Sequence, residues 1–376
     1  MPPFAAEVDL DAIRANVAEL SRRAGSAAVM AVVKADGYGH GIVPSARAAV
    51  DGGAAWLGVA FVDEALALRA AGIDVPLLAW LIGPQSDVRS AIEAAVDVSV
   101  SAEWALDLVS TAAQQSGRAA RVHLKVDTGL GRAGAVADEW PALVENAAKR
   151  QAEGVIDVVG VWSHLAHADA PAHPTIDKQR AAFVEALDIA TRAGLQPQVR
   201  HLANSAATLA LPETHFDLVR PGVAVYGLSP GPEVGRAADL GLRPAMRLTA
   251  EVALVKRVPA GQGVSYGHRY HTSTETQLAL VPIGYADGVP RHATNIGPVQ
   301  INGKRFVVSG TVCMDQIVVD IGEHHVSVGD TAVLFGPGDD GEPTADDWAA
   351  AIGTINYEIV TRVGSRVPRV YRGGSA

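Results

Sequence analysis

Short apolar runs alternate regularly with amphipathic, alanine-rich segments between about residues 28 and 227. Runs of this length are typical of strands buried on both faces of a parallel sheet, and the segments between them have helical periodicity. Eight runs favour a (β/α)8 barrel, although the pattern alone leaves an open doubly wound sheet as an alternative. The runs are AVMAVVKAD, WLGVAFV, PLLAWLIG, VDVSVS, RVHLKVDTG, VIDVVGVWSH, VRHLANSAA and LVRPGVAVYG.

The character of the sequence changes near residue 228, where SPGPEVGRAADLGLRP is rich in Gly and Pro and is typical of a connection. From about residue 243, apolar and polar residues alternate in runs that end at Gly or Asn, as in antiparallel sheets. A chain of 376 residues also exceeds one ordinary core. The sequence therefore predicts a barrel domain over residues 1–237, followed by a mainly antiparallel β domain over residues 238–376.

Composition excludes several classes of partner. The chain has 31 Lys and Arg against 41 Asp and Glu, a net charge of −10, and no basic block, which argues against nucleic acid binding. No apolar stretch is long enough to span a bilayer, and the N-terminus lacks the pattern of a signal peptide. Cys313 is the only cysteine, so an internal disulfide is impossible. We expect a cytoplasmic protein with no membrane or nucleic acid partner.

Polar side chains follow several of the predicted barrel strands. In (β/α)8 barrels the functional groups gather where the strands end, at the C-terminal face. Five of the eight strands deliver a polar or charged group to that face: Lys34, Lys125 with nearby Arg132, His164, Asn204 with Ser205, and Arg220.

Lys34 is the first candidate for chemistry. It follows six apolar residues, where partial desolvation lowers a lysine pKa and makes the amine suited to forming a Schiff base. A strand-end lysine that merely extends into solvent is the alternative. The sequence Gly37-Tyr38-Gly39 favours a ligand site, because glycines admit a ligand close to the backbone and Tyr38 is able to donate a hydrogen bond to an anion.

The last two strand ends carry ANSAA and RPGVAVYG, at the position where many barrels bind phosphate. Ser205 offers a hydroxyl and the backbone near Gly222 offers amides, although Asn204 and Ser205 also suit a simple helix cap. Together with a Schiff-base lysine, these motifs suggest pyridoxal phosphate. No His, Cys or Asp grouping has metal-ligand spacing, so no metal is predicted.

The motif AVVKADGYGHG resembles the cofactor-lysine signature of the alanine racemase family. The resemblance extends from VDLDAIRANV to INYEIVTRVGSRVPRVY and includes LKVDTGLGR, SHLAHAD, ANSAA, VRPGVAVYG, VSYGHRY, VPIGYADG and VCMDQ in the order of the family. It implies a homodimeric pyridoxal 5′-phosphate enzyme that interconverts L-alanine and D-alanine and supplies D-alanine for peptidoglycan. It also implies active sites shared between two subunits.

The resemblance assigns roles to individual residues. Lys34 would bind the cofactor covalently and act on D-alanine, while Tyr266 of the other subunit would act on L-alanine. Lys125 matches a lysine that is often carbamylated and would then orient Arg132. The cofactor would be held by Tyr38, His164, Asn204, Ser205, Arg220, Gly222, Val223 and Tyr357, and the substrate by Arg132, Tyr285, Met314 and Asp315.

Arg220 is assigned to the pyridine nitrogen, where an arginine should leave that nitrogen unprotonated and so limit stray protonation of the cofactor. Without the resemblance, a structural arginine at a strand end would be the simpler interpretation.

Two residues depart from the family pattern. Thr311 stands where an arginine is expected before VCMD, and Trp80 is bulky for a strand that borders the cofactor. Three other functions are possible for a chain with these motifs. A barrel-type amino acid decarboxylase is disfavoured because its glycine triplet and Glu-Pro-Gly-Arg motifs are absent. A noncatalytic, single-barrel cofactor carrier is disfavoured because such a protein lacks the β domain that is predicted here from about residue 243. A serine or broad-specificity racemase of the same family remains the alternative.

Overall fold

The computed structural model describes residues 3–374, which form two compact units. The first unit comprises Ile13–Gly37 and Ile42–Leu242. The second comprises the chain through Ala12, Tyr38–Gly41 and the chain from Arg243 onward. The N-terminal strand β1 (Phe4–Asp9) therefore groups with the C-terminal part of the chain. The division into residues 1–237 and 238–376 stays a prediction.

The first unit is built on eight parallel strands, each hydrogen-bonded to the next, with strand order 8-7-6-5-4-3-2-9. The amides of Asp217 and Arg220 donate to the carbonyls of Arg200 and Ala203, which links the two ends of this sheet into a nearly closed barrel. The strands are β2 (Ala28–Val32), β3 (Trp56–Val59), β4 (Leu77–Ala79), β5 (Asp97–Val100), β6 (Ala120–Lys125), β7 (Ile156–Trp162), β8 (Val199–His201) and β9 (Leu218–Val219).

Helices separate these strands, as the helical periodicity between the apolar runs predicts. Their ends carry local signals: Asp87 accepts a hydrogen bond from the amide of Ser90 at the start of one helix, and Gly117 at φ 67° ends the next. The helices are α1 (Leu10–Ala24), α2 (Lys34–Tyr38, one short turn), α3 (Ile42–Asp51), α4 (Val62–Ala70), α5 (Val88–Glu93), α6 (Glu103–Ser116), α7 (Trp140–Ala152), α8 (Thr175–Arg192) and α9 (Ser205–Ala210).

The barrel interior is a packed core. Met30, Trp56, Leu78, Val159 and Leu218 come from five different strands and form one buried cluster. Strands such as β3 and β5 are buried along their whole length, as expected for a parallel sheet covered on both faces. Function is therefore left to the ends of the strands.

The second unit contains three sheets. A six-stranded sheet has the order 16-15-18-10-1-19, a three-stranded sheet the order 11-14-17, and strands 12 and 13 form a hairpin. Almost all of the pairs are antiparallel, and β1 pairs antiparallel with strand 10 and parallel with strand 19. The remaining elements are β10 (Met246–Glu251), β11 (Leu254–Val258), β12 (Gly263–Val264), β13 (Tyr270–His271), β14 (Thr276–Val281), β15 (Pro298–Ile301), β16 (Lys304–Val307), β17 (Ile317–Gly322), β18 (Thr331–Phe335), α10 (Ala345–Ile352), α11 (Asn356–Thr361) and β19 (Arg369–Arg372).

The predicted fold class, a (β/α)8 barrel followed by a mainly antiparallel β domain, is confirmed, and the open doubly wound sheet is excluded. No helix within residues 3–374 combines the length and apolar character needed to cross a membrane. Over the same residues, no group of three or more His, Cys, Asp or Glu side chains is arranged to hold a metal ion.

Candidate active site

Lys34 lies just beyond β2, immediately before a left-handed turn. Ala35, Asp36, Gly37 and Tyr38 all have φ between 52° and 61°. Left-handed backbone costs L-residues roughly 1–2 kcal/mol each, and they normally adopt it singly rather than in succession. Contacts around the turn must therefore hold it in place.

Two carboxylates provide those contacts. Glu64 Oε1 accepts a hydrogen bond from the Ala35 amide (2.7 Å), and Asp36 Oδ1 accepts one from the Ile42 amide (2.9 Å). A Cβ at Gly37 would lie 2.8 Å from Ser45 Oγ, so only glycine fits there without displacing that side chain. The turn that follows Lys34 is thus held by hydrogen bonds to Glu64 and Asp36 and by close packing of Gly37 against Ser45.

Lys34 is half-buried, and the charge of one cation, Arg132, acts on its amine. Burial lowers the pKa of Lys34, the charge of Arg132 lowers it further, and the carboxylate of Glu64 opposes the shift. The Lys34 Nζ lies 6.0 Å from the ring centroid of Trp80, the bulky residue noted in the sequence. A lowered pKa raises the neutral fraction of the amine, the form that acts as nucleophile and base.

Lys125 ends β6 and is 6% exposed. Its Nζ lies 4.3 Å from the ring centroid of Trp162. Burial, with the charges of Arg220 and Arg132, lowers the pKa of Lys125 to about 8, and Asp127 only partly opposes them. The positive charges of two arginines therefore disfavour the protonated form of the Lys125 amine.

Arg132 lies on the loop after β6 and its side chain is exposed. The loop is organised by Asp127, whose carboxylate accepts hydrogen bonds from the amides of Gly129, Leu130 and Gly131 at 2.9 to 3.2 Å. Such a nest of local bonds fixes the backbone immediately before Arg132.

Arg220 follows β9 and is 4% exposed. Its Nη2 donates to the carbonyls of Ser163 (2.7 Å) and Leu202 (3.2 Å), and lies 3.2 Å from His164 Nδ1. Burial lowers the pKa of Arg220 to about 9, which still leaves the guanidinium charged at neutral pH. Burial, followed by the charges of Arg220 and its cationic neighbours, lowers the pKa of His164 well below its ordinary value. His164 is therefore neutral and accepts from Arg220.

A buried chain of hydrogen bonds continues from Arg220 into the barrel. Arg220 Nη1 lies 3.2 Å from His201 Nδ1, His201 Nε2 lies 2.9 Å from His123 Nδ1, and His123 Nε2 lies 3.2 Å from Asp97 Oδ2. Because an arginine only donates, each histidine in this chain must accept at Nδ1 and donate from Nε2. This series of hydrogen bonds thus connects a buried cation, Arg220, to a buried anion, Asp97.

The anionic end is stabilised by its partners. Burial alone would raise the pKa of Asp97, but the hydrogen bonds from His123 and Arg121, together with the charge of Arg121, outweigh it and lower that pKa. Neither Asp97 nor His123 was among the residues predicted from the sequence. The available signal was a polar residue at an otherwise apolar position of a buried strand, with His123 two residues before Lys125 and hence on the same side of β6.

The candidate phosphate residues lie beyond β8 and β9. The Asn204 side chain accepts a hydrogen bond from the Ala207 amide (3.1 Å) and caps α9. Ser205 Oγ accepts from the amides of Gly222 (2.7 Å) and Ala224 (3.4 Å). Its own proton finds no acceptor among residues 3–374 and is available to a ligand. Val223 begins the 3-10 turn Val223–Tyr226.

Tyr38 and Tyr357 belong to the second unit, where their ring centroids are 6.3 Å apart. Burial, with a smaller contribution from Tyr357, raises the pKa of the Tyr38 phenol. Tyr38 therefore stays protonated over the physiological range and remains a hydrogen-bond donor.

The other predicted site residues of the second unit gather around the segment from Thr311 to Asp315. The Tyr285 amide donates to the carbonyl of Cys313 (3.0 Å), and Asp315 pairs with Arg366 (2.8 Å). Tyr266, Tyr285 and Met314 are 74%, 41% and 52% exposed. The predicted site residues thus fall into two sets, one in each unit. The barrel set comprises Lys34, Lys125, Arg132, His164, Asn204, Ser205, Arg220, Gly222 and Val223. The β-domain set comprises Tyr38, Tyr266, Tyr285, Met314, Asp315 and Tyr357, and the side chains of Tyr266, Tyr285 and Met314 are exposed.

Residues 8–230 match the family profile "Alanine racemase, N-terminal domain", and residues 245–371 match "Alanine racemase, C-terminal domain". The chain belongs to the alanine racemase family. Alanine racemase of Frankia casuarinae is 66% identical over 97% of this chain and 95% of its own length. Alanine racemase of Salinispora tropica is 60% identical over 97% of both chains. As a member of this family, the chain is an isomerase.

Solved structures of alanine racemases share the fold. The enzyme from D-cycloserine-producing Streptomyces lavendulae has a TM-score of 0.99 at 59% identity and covers 100% of this chain and 98% of its own. The alanine racemase of Bacillus anthracis with bound L-Ala-P has a TM-score of 0.90 at 38% identity, covering 99% and 96% of the two chains. The predicted family resemblance is confirmed.

Proposed function

We propose that this chain interconverts L-alanine and D-alanine with pyridoxal 5′-phosphate as cofactor, working as a cytoplasmic homodimer that supplies D-alanine for peptidoglycan. Family membership supports racemisation of alanine. The observation that carries the proposal is the barrel set, in which the lowered pKa of Lys34 and the buried cation Arg220 occur at ends of neighbouring strands. A desolvated amine and a fixed cation suit an anionic aldehyde cofactor.

The donors present fit this cofactor. Lys34 offers a partly neutral amine for covalent attachment. Arg220 offers a guanidinium that contacts carbonyl oxygens and histidine rings and meets no carboxylate within residues 3–374. Ser205 holds an uncommitted hydroxyl proton beside the backbone of Gly222. Tyr38, Tyr357, His164, Asn204 and Val223 complete the proposed cofactor-binding residues. When bound, the cofactor supplies an electron sink that makes the Cα–H of an amino acid acidic.

Racemisation requires proton removal on one face of Cα and proton delivery on the other. We assign these transfers to Lys34, which takes the proton of D-alanine, and to Tyr266 of the other subunit, which takes the proton of L-alanine. Two bases on opposite faces remove the need for one base to move around the substrate. Tyr266 is exposed in a single chain, which agrees with a role completed by a second copy.

Arg132 is proposed to bind the substrate carboxylate, since guanidinium and carboxylate form paired hydrogen bonds. Tyr285, Met314 and Asp315 are proposed to limit the size of the substrate. A racemase for serine or for several amino acids is the alternative. Measuring racemisation across a panel of L- and D-amino acids tests the proposal: alanine should give the highest kcat/KM, and no turnover of alanine would refute it.

Arg220 gives a prediction about reaction fidelity. Arg220→Glu places a carboxyl group where a permanent cation stood, so the pyridine nitrogen is expected to keep a proton. Racemisation should slow and pyridoxamine 5′-phosphate should accumulate as a side product, which chromatography of the released cofactor measures. Arg220→Gln is the matched control, because it removes the charge but keeps an N–H donor. Slower racemisation in both variants without pyridoxamine 5′-phosphate would make Arg220 purely structural.

Lys125 gives a prediction about pH. A carbamate forms only on a neutral amine, and it would replace a positive group with a negative one beside Arg132 and Arg220. Because burial and these arginines lower the pKa of Lys125 to about 8, the neutral fraction rises as pH increases through 8. With 13C-bicarbonate, a carbamate NMR signal should grow from pH 7 to 9 in the wild type and be absent from Lys125→Gln. A signal that persists in Lys125→Gln would assign it elsewhere.

A further inference from the structure

Ser265, the residue immediately before Tyr266, has a strained backbone. Its φ is 61° and its ψ is −172°, a region that residues with a Cβ almost never adopt. Strain of this kind persists only where surrounding contacts over-determine the conformation, and it concentrates at functional positions. The peptide that carries Tyr266 is thus held in a shape that its own sequence disfavours.

Two hydroxyl groups provide the holding contacts. Ser265 Oγ donates to the carbonyl of Thr311 (2.6 Å) and lies 3.2 Å from Cys313 Sγ. In the opposite direction, Thr311 Oγ1 donates to the carbonyl of Tyr266 (2.7 Å). Thr311 is 3% exposed, so water does not replace its bond if the partner moves away. We call this reciprocal pair of bonds the Ser265–Thr311 clasp.

The segment that faces Ser265 is itself anchored. A Cβ at Gly310 would lie 2.7 Å from the carbonyl oxygen of Val264, so the two backbones approach as closely as glycine permits. The amide of Gly310 donates to Asn295 Oδ1 (2.7 Å), which fixes Gly310 beside the clasp. The clasp therefore connects the strained peptide to a segment that cannot readily follow it.

The Tyr266 side chain is 74% exposed in one chain, so packing against its own chain contributes little to its placement. The position of the Tyr266 phenol must therefore depend mainly on the conformation of its backbone. We infer that Ser265 and Thr311 are positioning residues for Tyr266: their clasp holds the peptide in the strained conformation from which the phenol is presented to substrate. This inference rests on the proposed function of Tyr266, and it gives a role to Thr311, which departs from the family pattern.

Four variants test the clasp. Ser265→Ala keeps the strain and removes one bond, and Ser265→Gly removes both the bond and the strain. Thr311→Val removes the other bond at constant shape, and Thr311→Ser retains it. Since a displacement of about 1 Å at a reacting group can cost roughly 100-fold in rate, kcat/KM should fall about 10- to 100-fold in Ser265→Ala and Thr311→Val. It should stay near wild type in Thr311→Ser. Ser265→Gly should exceed Ser265→Ala in both kcat/KM and melting temperature, the reverse of the usual order.

Deuterium isotope effects on the two directions of racemisation distinguish misplacement of Tyr266 from a general loss of active enzyme. Slower proton transfer at Tyr266 should raise the isotope effect with L-[2-2H]alanine and lower that with D-[2-2H]alanine, whose deuteron Lys34 removes. Equal changes for both enantiomers, or a fully active Thr311→Val, would overturn the inference. Asn302→Gly is the matched control, because Asn302 also has positive φ (48°) and side-chain hydrogen bonds but lies in the hairpin between β15 and β16. Its two isotope effects should be those of the wild type.

A final measurement does not depend on turnover. Amide hydrogen exchange in the peptide spanning residues 264–270 should accelerate in Ser265→Ala and Thr311→Val, but not in Thr311→Ser or Asn302→Gly. Faster exchange in a protein that racemises no amino acid would support the clasp while refuting the proposed function. Unchanged exchange in Thr311→Val would refute the clasp in an active enzyme.

Discussion

Replacing Lys34 by alanine is expected to reduce racemisation by about 10⁴-fold, because one proton-transfer group alone contributes up to about that factor. The substitution also removes the amine to which the cofactor is proposed to attach, so borohydride should no longer fix the cofactor to the protein. The visible absorbance of the protein-bound cofactor should shift to that of the free aldehyde. Spectra and mass spectrometry of the reduced protein measure both effects.

Lys178→Ala serves as the control, because Lys178 is an exposed lysine on α8, and it should leave activity and absorbance unchanged. Covalent cofactor found at another lysine of Lys34→Ala would refute the assignment. The left-handed turn after Lys34 is held by the carboxylates of Glu64 and Asp36, which accept from backbone amides, and not by the lysine side chain, so the variant should fold.

Mixing two inactive variants is expected to restore activity. Lys34→Ala and Tyr266→Phe are each expected to be nearly inactive when refolded alone. Refolded together, random pairing makes about half of the dimers mixed. If each site takes Lys34 from one subunit and Tyr266 from the other, a mixed dimer has one intact site and one with both lesions. Activity should therefore return to about a quarter of the wild-type level.

Each variant refolded alone is the control for this experiment and fixes the background. Tagging one variant and isolating mixed dimers on that tag shows that subunits have exchanged. Efficient exchange without recovered activity would mean that every site lies within one chain, and the proposal of shared sites would fail.

The fold was predictable from the sequence because its signals are local. Most of the barrel strands are almost wholly buried, so the apolar runs and the helices between them appear directly in the residue pattern. Buried and less buried residues alternate along C-terminal strands such as β10 and β17 because one face of each strand is solvated. That alternation predicted antiparallel strands. The pairing of β1 with β10 and β19 joins residues more than 200 positions apart, and no local signal specifies it.

Only part of the candidate site was predictable from the sequence pattern itself. Lys34, Lys125, His164 and Arg220 stand at strand ends, where barrel architecture brings residues together. Their roles came from family resemblance and stay predictions. Asp97 and His123 were missed because a polar residue inside a barrel has no characteristic spacing, and its partners are contributed by other strands.

The strain at Ser265 was equally invisible in the sequence. A serine is compatible with almost any backbone, and nothing in VSYGHRY indicates φ of 61°. Only the neighbouring segment reveals why the conformation persists.

The left-handed turn that follows Lys34 has a consequence for backbone chirality. Ala35, at φ 53° and ψ 52°, occupies the mirror image of the helical conformation that an L-residue prefers. Glycine at this position would relieve the crowding, but it would also loosen the unfolded chain at a cost of about 0.4–1 kcal/mol. A D-alanine introduced by chemical ligation would relieve the crowding and keep the unfolded chain restricted, for a gain of about 1–2 kcal/mol. A protein proposed to make D-alanine thus contains a position where D-alanine itself would be the more stable building block.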